Sequence, residues 1–319
     1  MTHSEQIHRN NSSQTTLYRQ RALLPAAALV LFMLGGLALL LWRTPMPAAR
    51  QQGLPLATLS AGDFHALAFL PDKEEVVLFG HHNGIMRSDD GGRTWTTLIE
   101  QRGFDAMSIL VRDTVPPQIA VAGHHIFQAS WDGGQTWQSV SHSLPSNDIH
   151  ALVMNPDRPE QLTVYVAGEG LFSSFDGGRS WDRLAGQPAV VKDTMTLASA
   201  GGDPETLYLG TLRSGLWRSQ DGGVTWAELG WDSQFGSILA LAVDPLARTT
   251  LYVGTNRGLF KSTDGGNTWT QLPYPGQNAA VVALHPRKPA TLLAISVTSE
   301  GMGSLYRSDD GGRSWSDAP

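Results

Sequence analysis

An eight-residue phrase occurs six times in this chain of 319 residues: SDDGGRTW (88–95), SWDGGQTW (130–137), SFDGGRSW (174–181), SQDGGVTW (219–226), STDGGNTW (262–269) and SDDGGRSW (308–315). Its tryptophans stand 42, 44, 45, 43 and 46 residues apart. A repeat of that length is one supersecondary unit that cannot bury its apolar face alone, so copies must stack. The content of each period says which unit it is. In the fifth, SILALAVDP, TLYVGTN, GLFKS and TWTQL follow one another, four short apolar runs separated by Gly, Pro, Asn and Asp. The chain is therefore expected to be all-β: a single β-propeller of six four-stranded blades over residues 54–319, each blade with strands A to D. Radial closure then leaves only short, protected edges. The run LPLATL (54–59) looks like a strand D placed ahead of the first blade and is a candidate to complete the sixth.

Within the phrase, Asp90, Asp132, Asp176, Asp221, Asp264 and Asp310 can each accept backbone N–H groups across a tight turn. The following Gly-Gly supplies positive φ. Trp95, Trp137, Trp181, Trp226, Trp269 and Trp315 then open strand D and are expected to bury their rings between blades. The phrase resembles the Asp box (BNR repeat), Ser-x-Asp-x-Gly-x-Thr-Trp, of sialidases, sortilin-type receptors, xyloglucan-cleaving hydrolases and photosystem II assembly-factor-like propellers. The resemblance implies that the boxes lie on C–D turns, on the face opposite the binding site. It implies no particular activity, because these families share a fold and little else.

The segment Ala22 to Trp42 has no charged residue and is long enough to cross a hydrocarbon core of about 30 Å. Arg9, Arg19 and Arg21 precede it, Arg43 and Arg50 follow, and the bias favours a cytoplasmic N-terminus. The expectation is a cytoplasmic tail (1–21), a transmembrane signal anchor (22–42) and a linker (43–53). The propeller would then stand on the periplasmic or extracellular side of a bacterial-type cytoplasmic membrane. A cleaved signal peptide is the alternative, with only a weak small-residue site in TPMPAAR. No cysteine is present, which excludes disulfides, thiolate metal sites and cysteine nucleophiles. The first fifty residues carry five arginines and one glutamate, leaving 18 basic and 28 acidic residues, a net of −10, to the rest. With no basic stripe, nucleic acid is not an expected partner.

If the boxes mark the bottom, the D–A links and B–C turns form the top. Asp63, Asp105, Asp148 and Asp193 stand at the starts of strands A in the first four blades, with Ser237 and Asn278 in the last two. Two readings of this ring stay open: caps of their own backbone, or a cation site or carboxylate pair for catalysis. Seven of the ten histidines also fall on this face. His65 and His150 are at starts of strand A, His81, His82, His124 and His125 are in B–C turns, and His142 precedes blade three. An A–B turn near Lys73 would set His65 across from His81, with Asp63 beside them. No cofactor is demanded, but Asp63, His65, His81, His82, His124 and His125 are the candidate ligands for copper, zinc or nickel. A solvated polar rim is the alternative. The runs DFHAL and GHHNG also resemble a histidine pattern of bacterial extracytoplasmic glycosylhydrolase-like Asp-box proteins.

Sialidase chemistry is disfavoured. No Arg-Ile-Pro stretch precedes the first box, Arg93, Arg179 and Arg313 lie inside boxes, and Tyr165, Tyr208 and Tyr252 sit in apolar B strands and read as core. No Ser-His-Asp set, phosphate loop or nucleotide fingerprint is present. The reading favoured is a non-catalytic binding or assembly module for a protein or cofactor-bearing membrane-complex partner. The alternative is a glycoside hydrolase, sialidase-like or another exo-glycosidase, drawing on Asp63, Asp105, Asp148 and Asp193.

Overall fold

Each box closes its turn by the same bonds, and the fifth shows them. Ser262 Oγ donates to Asp264 Oδ1 at 2.8 Å, and Asp264 accepts the N–H groups of Asn267 and Thr268 and the Thr268 hydroxyl. Gly265 and Gly266 stand at φ 74° and 90°, where a side chain would be strained. The first glycine of every box donates its N–H to a carbonyl at the start of strand B of the same blade: those of Glu75, Pro117, Glu160, Glu205, Thr249 and Ala290. The box is thus a staple between the C–D turn and the A–B end of its own blade.

This is a computed structural model, and it describes residues 53–315. The expected span Ala22–Trp42 lies outside the described residues; among those described, no helix is long and apolar enough to cross a membrane. Strand β1 (Ala57–Ser60) comes first. Blade one holds β2 (Ala66–Leu70), β3 (Lys73–His81), β4 (Gly84–Ser88) and β5 (Thr96–Glu100). Blade two holds β6 (Ser108–Arg112), β7 (Gln118–Gly123), β8 (Ile126–Ser130) and β9 (Gln138–Ser139). Blade three holds β10 (Ile149–Asn155), β11 (Arg158–Val166), β12 (Gly170–Ser174) and β13 (Asp182–Arg183). Blade four holds β14 (Thr194–Gly201), β15 (Thr206–Thr211), β16 (Leu216–Ser219) and β17 (Ala227–Leu229). Blade five holds β18 (Ile238–Val243), β19 (Leu251–Thr255), β20 (Gly258–Ser262) and β21 (Thr270–Gln271). Blade six holds β22 (Val281–His285), β23 (Lys288–Val297) and β24 (Met302–Ser308), and β1 completes it, antiparallel to β24 with Ala57 opposite Leu305. The LPLATL run therefore closes the ring.

The A strands β2, β6, β10, β14, β18 and β22 contact one another in a closed circle around a central channel. Six apolar clusters fill the six seams between blades. In the closing seam, Leu56 and Leu59 join Phe69 and Phe79 of blade one to Leu293, Ile295 and Leu305 of blade six. Each box tryptophan packs into the seam its blade shares with the preceding blade. Only Trp181 is fully buried there; the other five are half-buried, a correction to the deep burial expected of all six. The cause is position: the ring sits at the C–D end of the seam, where the blades open to solvent. Tyr165, Tyr208 and Tyr252 are buried core residues.

Candidate functional site

Hairpin alternation puts the B–C turns and D–A links at the end opposite the boxes. There the link into blade two is pressed between two strands. A Cβ on Gly123 would lie 1.6 Å from the Asp105 carbonyl oxygen, and one on Gly80 would lie 2.4 Å from that of Ala106. These two glycines leave the room through which the backbone brings Asp105 inward. Its side chain is 2% exposed, and neither carboxylate oxygen has a hydrogen bond. Three imidazoles surround it: His65 Nε2 at 2.9 Å from Oδ1, His82 Nδ1 at 3.5 Å and His124 Nε2 at 3.7 Å from Oδ2. The 2.9 Å approach lacks hydrogen-bond alignment, so His65 Nε2 is also without a hydrogen bond.

His124 joins this group to a second one. Its Nδ1 lies 2.6 Å from Asp148 Oδ1, and His150 Nε2 lies 3.1 Å from the same oxygen. His65, His82 and Asp105 form one set of atoms close enough to share an ion; His124, Asp148 and His150 form another. Burial is the main force on His65, which it holds below the ordinary imidazole range, although the Asp105 charge opposes it. Burial likewise lowers His81, with the nearby His65 adding to the effect.

The remaining candidates are placed as follows. The strand register continues so that His65 donates its N–H to Gly80 O, next to His81. The His81 ring, however, lies 5.6 Å from Phe79 and its Nδ1 accepts the N–H of Asn83, apart from the Asp105 group. His125 is the turn residue itself, at φ 60°, and its N–H donates to Asn147 O. Asp63 is 63% exposed, caps Phe64 N–H, and reaches only 3.8 Å from His65 Nε2. Asp193 accepts the backbone N–H and Nε of Arg213. Asn278 bonds both ways to Val297.

Of one set, the histidines His65 and His150 were picked out in the sequence and the methionines Met107 and Met195 were missed. The residue two places after each strand-start aspartate, in Asp63-x-His65, Asp105-x-Met107, Asp148-x-His150 and Asp193-x-Met195, lines the central channel; Leu239 and Ala280 occupy that place in blades five and six. The cavity there measures about 160 Å³. The signal was present as Asp-x-His or Asp-x-Met in four successive repeats. A larger cavity, about 740 Å³, opens between blades two and three and is lined by Phe127, Trp131 and the Arg112–Glu160 ion pair. No His/acid cluster lies in it, and volume alone does not make it the more reactive site.

Residues 214–318 match the Sortilin-Vps10 family model, described as sortilin, neurotensin receptor 3. A stretch of 135 residues is 26% identical to a probable oligoxyloglucan-reducing end-specific xyloglucanase of Neosartorya fischeri, covering 41% of this chain and 16% of that protein. A stretch of 100 residues is 28% identical to the photosystem II assembly protein Ycf48 of Thermosynechococcus vestitus, covering 31% of this chain and 28% of that one. Among solved structures, the GH74 xyloglucanase from Xanthomonas campestris is similar with a TM-score of 0.57 at 20% identity, over 83% of this chain and 46% of that one. The chain thus spans less than half of the length of each of these three. Six boxes on six blades, with these likenesses, define an Asp-box β-propeller. The structural likeness shows the fold alone.

Proposed function

We propose that this chain is a non-catalytic binding propeller, tethered through residues 22–42 outside a cytoplasmic membrane, which receives a protein or membrane-complex partner on the face opposite its boxes. The observation that carries this is the engagement of the top-face carboxylates. Glycoside hydrolysis needs two carboxyl groups facing each other across open space, about 5–5.5 Å apart for retention and about 6.5–9.5 Å for inversion. Here Asp105 is sunk among three imidazoles, Asp148 holds two more ring nitrogens, and Asp193 is clamped by Arg213. Of the four, only Asp63 stands open to solvent. The imidazoles belong to blades one to three, whereas the B–C turns of blades four and five carry Arg213 and Arg257. That asymmetry suits a partner of matching charge pattern and a fixed orientation.

The partial likeness to Ycf48, an assembly protein, supports this reading, and the likeness to xyloglucanases supports the hydrolase alternative. The test is in-membrane crosslinking of the full chain and of two charge-reversed variants. Arg213→Glu/Arg257→Glu is expected to lose the crosslinked partner, while Arg93→Glu, in a box, keeps it. Release of sugar from xyloglucan or another glycan, abolished by Asp63→Asn, would overturn the proposal.

A further inference from the structure

The unexplained feature of the top face is a buried carboxylate with no hydrogen bond, encircled by ring nitrogens. A buried ionised group normally finds partners or shifts to its neutral form. Asp105 has the partners nearby, but two of them are at the wrong distance for hydrogen bonding. The His82 and His124 nitrogens lie 3.5 and 3.7 Å from Oδ2. Those separations fit two ligands of one ion: metal–nitrogen and metal–oxygen bonds of about 2.1 Å at a tetrahedral angle put the donor atoms about 3.4 Å apart.

The two clusters are not equivalent. Asp148 is satisfied, because His124 Nδ1 and His150 Nε2 both reach its Oδ1 at hydrogen-bonding distance. This fixes the His124 proton on Nδ1 and turns the Nε2 lone pair toward Asp105, which is how an outer carboxylate orients a metal-bound imidazole. Asp148 is therefore a positioning residue, and the ion belongs beside Asp105. The donors there are three imidazole nitrogens and a carboxylate. Of these donors only His65 lines the central channel, whose wall also carries Met107 and Met195. Imidazole alone suits several metals, whereas thioether sulfur favours Cu(I).

We propose that the Asp105 group, beside the channel, is a copper site in which Asp105, His65, His82 and His124 hold the ion, with His65 facing the channel wall that carries Met107 and Met195. The site stands independently of the partner reading, since an ion can be held whether or not a protein docks.

The experiment uses the full chain in detergent, titrated with Cu(I) under ascorbate and a chromogenic Cu(I) chelator, and separately with Zn(II). A single copper per chain is expected. His82 is 54% exposed, so His82→Ala removes a ligand without opening the core. It should weaken copper by about tenfold or more with an unchanged melting temperature, and Asp148→Asn by about 10–100-fold, the range for lost outer partners. Met107→Leu/Met195→Leu should weaken Cu(I) and leave Zn(II) as it was. Absence of stoichiometric copper in the unmodified chain, or full affinity in both His82→Ala and Asp148→Asn, overturns the site. Zinc held more tightly than copper, with no effect of the methionines, overturns the choice of metal.

Discussion

At the residue scale the box aspartates decide how this protein meets acid. In Asp132, Asp221 and Asp264 the carboxyl is held at about 2, first by the hydroxyl of Thr136, Thr225 or Thr268, then by that threonine's backbone N–H and the box serine. A carboxylate with a folded value of about 2 and an unfolded value of about 4 stabilises the fold above pH 4. That contribution is lost as pH falls from about 4 through about 2. The urea midpoint is therefore expected to decline gently below about pH 6.5, as the lowered His65 and His81 are forced to charge, and to fall steeply below pH 4. A midpoint that holds at pH 2 would refute the assignment. Glu205 works in the opposite sense. Burial raises it, against the Ser199 hydroxyl, so its contribution is present at low pH and lost as pH rises through the raised value. These aspartates were legible in the sequence because every bond they make lies within four residues. Asp105 was legible only as one acid of a ring. Its role depends on three histidines from two blades, 19 to 40 residues away in sequence, and no local pattern encodes that packing.

At the element scale, strand starts and ends carry the site, and glycine sets their spacing. Gly123 ends β7 with an ordinary φ, so what an alanine there lacks is room: its methyl would occupy the Asp105 carbonyl. Gly123→Ala is expected to displace the link into blade two, destabilising the fold by roughly 1–3 kcal/mol, the usual cost of overpacking. If Asp105 is the hub argued above, the same variant loses copper even where it remains folded, which calorimetry and metal titration together would show. Strand β1 tells the complementary story. Four residues make it short, yet Leu59 is buried in the closing seam. Leu59→Ala is expected to cost about 2–5 kcal/mol by denaturant unfolding, as for other buried leucines. A change under about 0.5 kcal/mol would mean that blade six does not need its fourth strand. LPLATL could be recognised as this strand because it repeats the D pattern out of order. The extents of the D strands could not: β9, β13 and β21 are only two residues long, because pairing at the outer edge ends where the next link departs.

At the scale of the whole molecule the question is whether the six blades unfold singly or together. In an open solenoid each repeat leans only on its neighbours, and damage at one end stays there. Here the ends are joined by β1 on β24, and ion pairs also cross the boxed end. Arg248 of blade five pairs with Asp157 of blade three, and Arg287 of blade six with Asp113 of blade two at 2.6 Å. These pairs are half-exposed, so each is worth at most about 1 kcal/mol, and Arg287→Ala should barely move the unfolding midpoint. The seams are the stronger coupling: no blade can leave without exposing two apolar clusters. Closure therefore makes the ring a single cooperative unit. Native-state hydrogen exchange distinguishes the two cases. Leu59→Ala lies in the seam between blades six and one, and Val164 and Tyr165 lie in blade three, across the ring. If the ring opens only as a whole, a loss of about 3 kcal/mol speeds exchange at those distant amides by roughly a hundredfold, at about 1.4 kcal/mol per factor of ten. Leu293 and Ile295 in blade six should accelerate by the same factor. Acceleration confined to blade six would show that the blades come away singly, and the top-face site, built from blades one to three, would then survive loss of the closing strand.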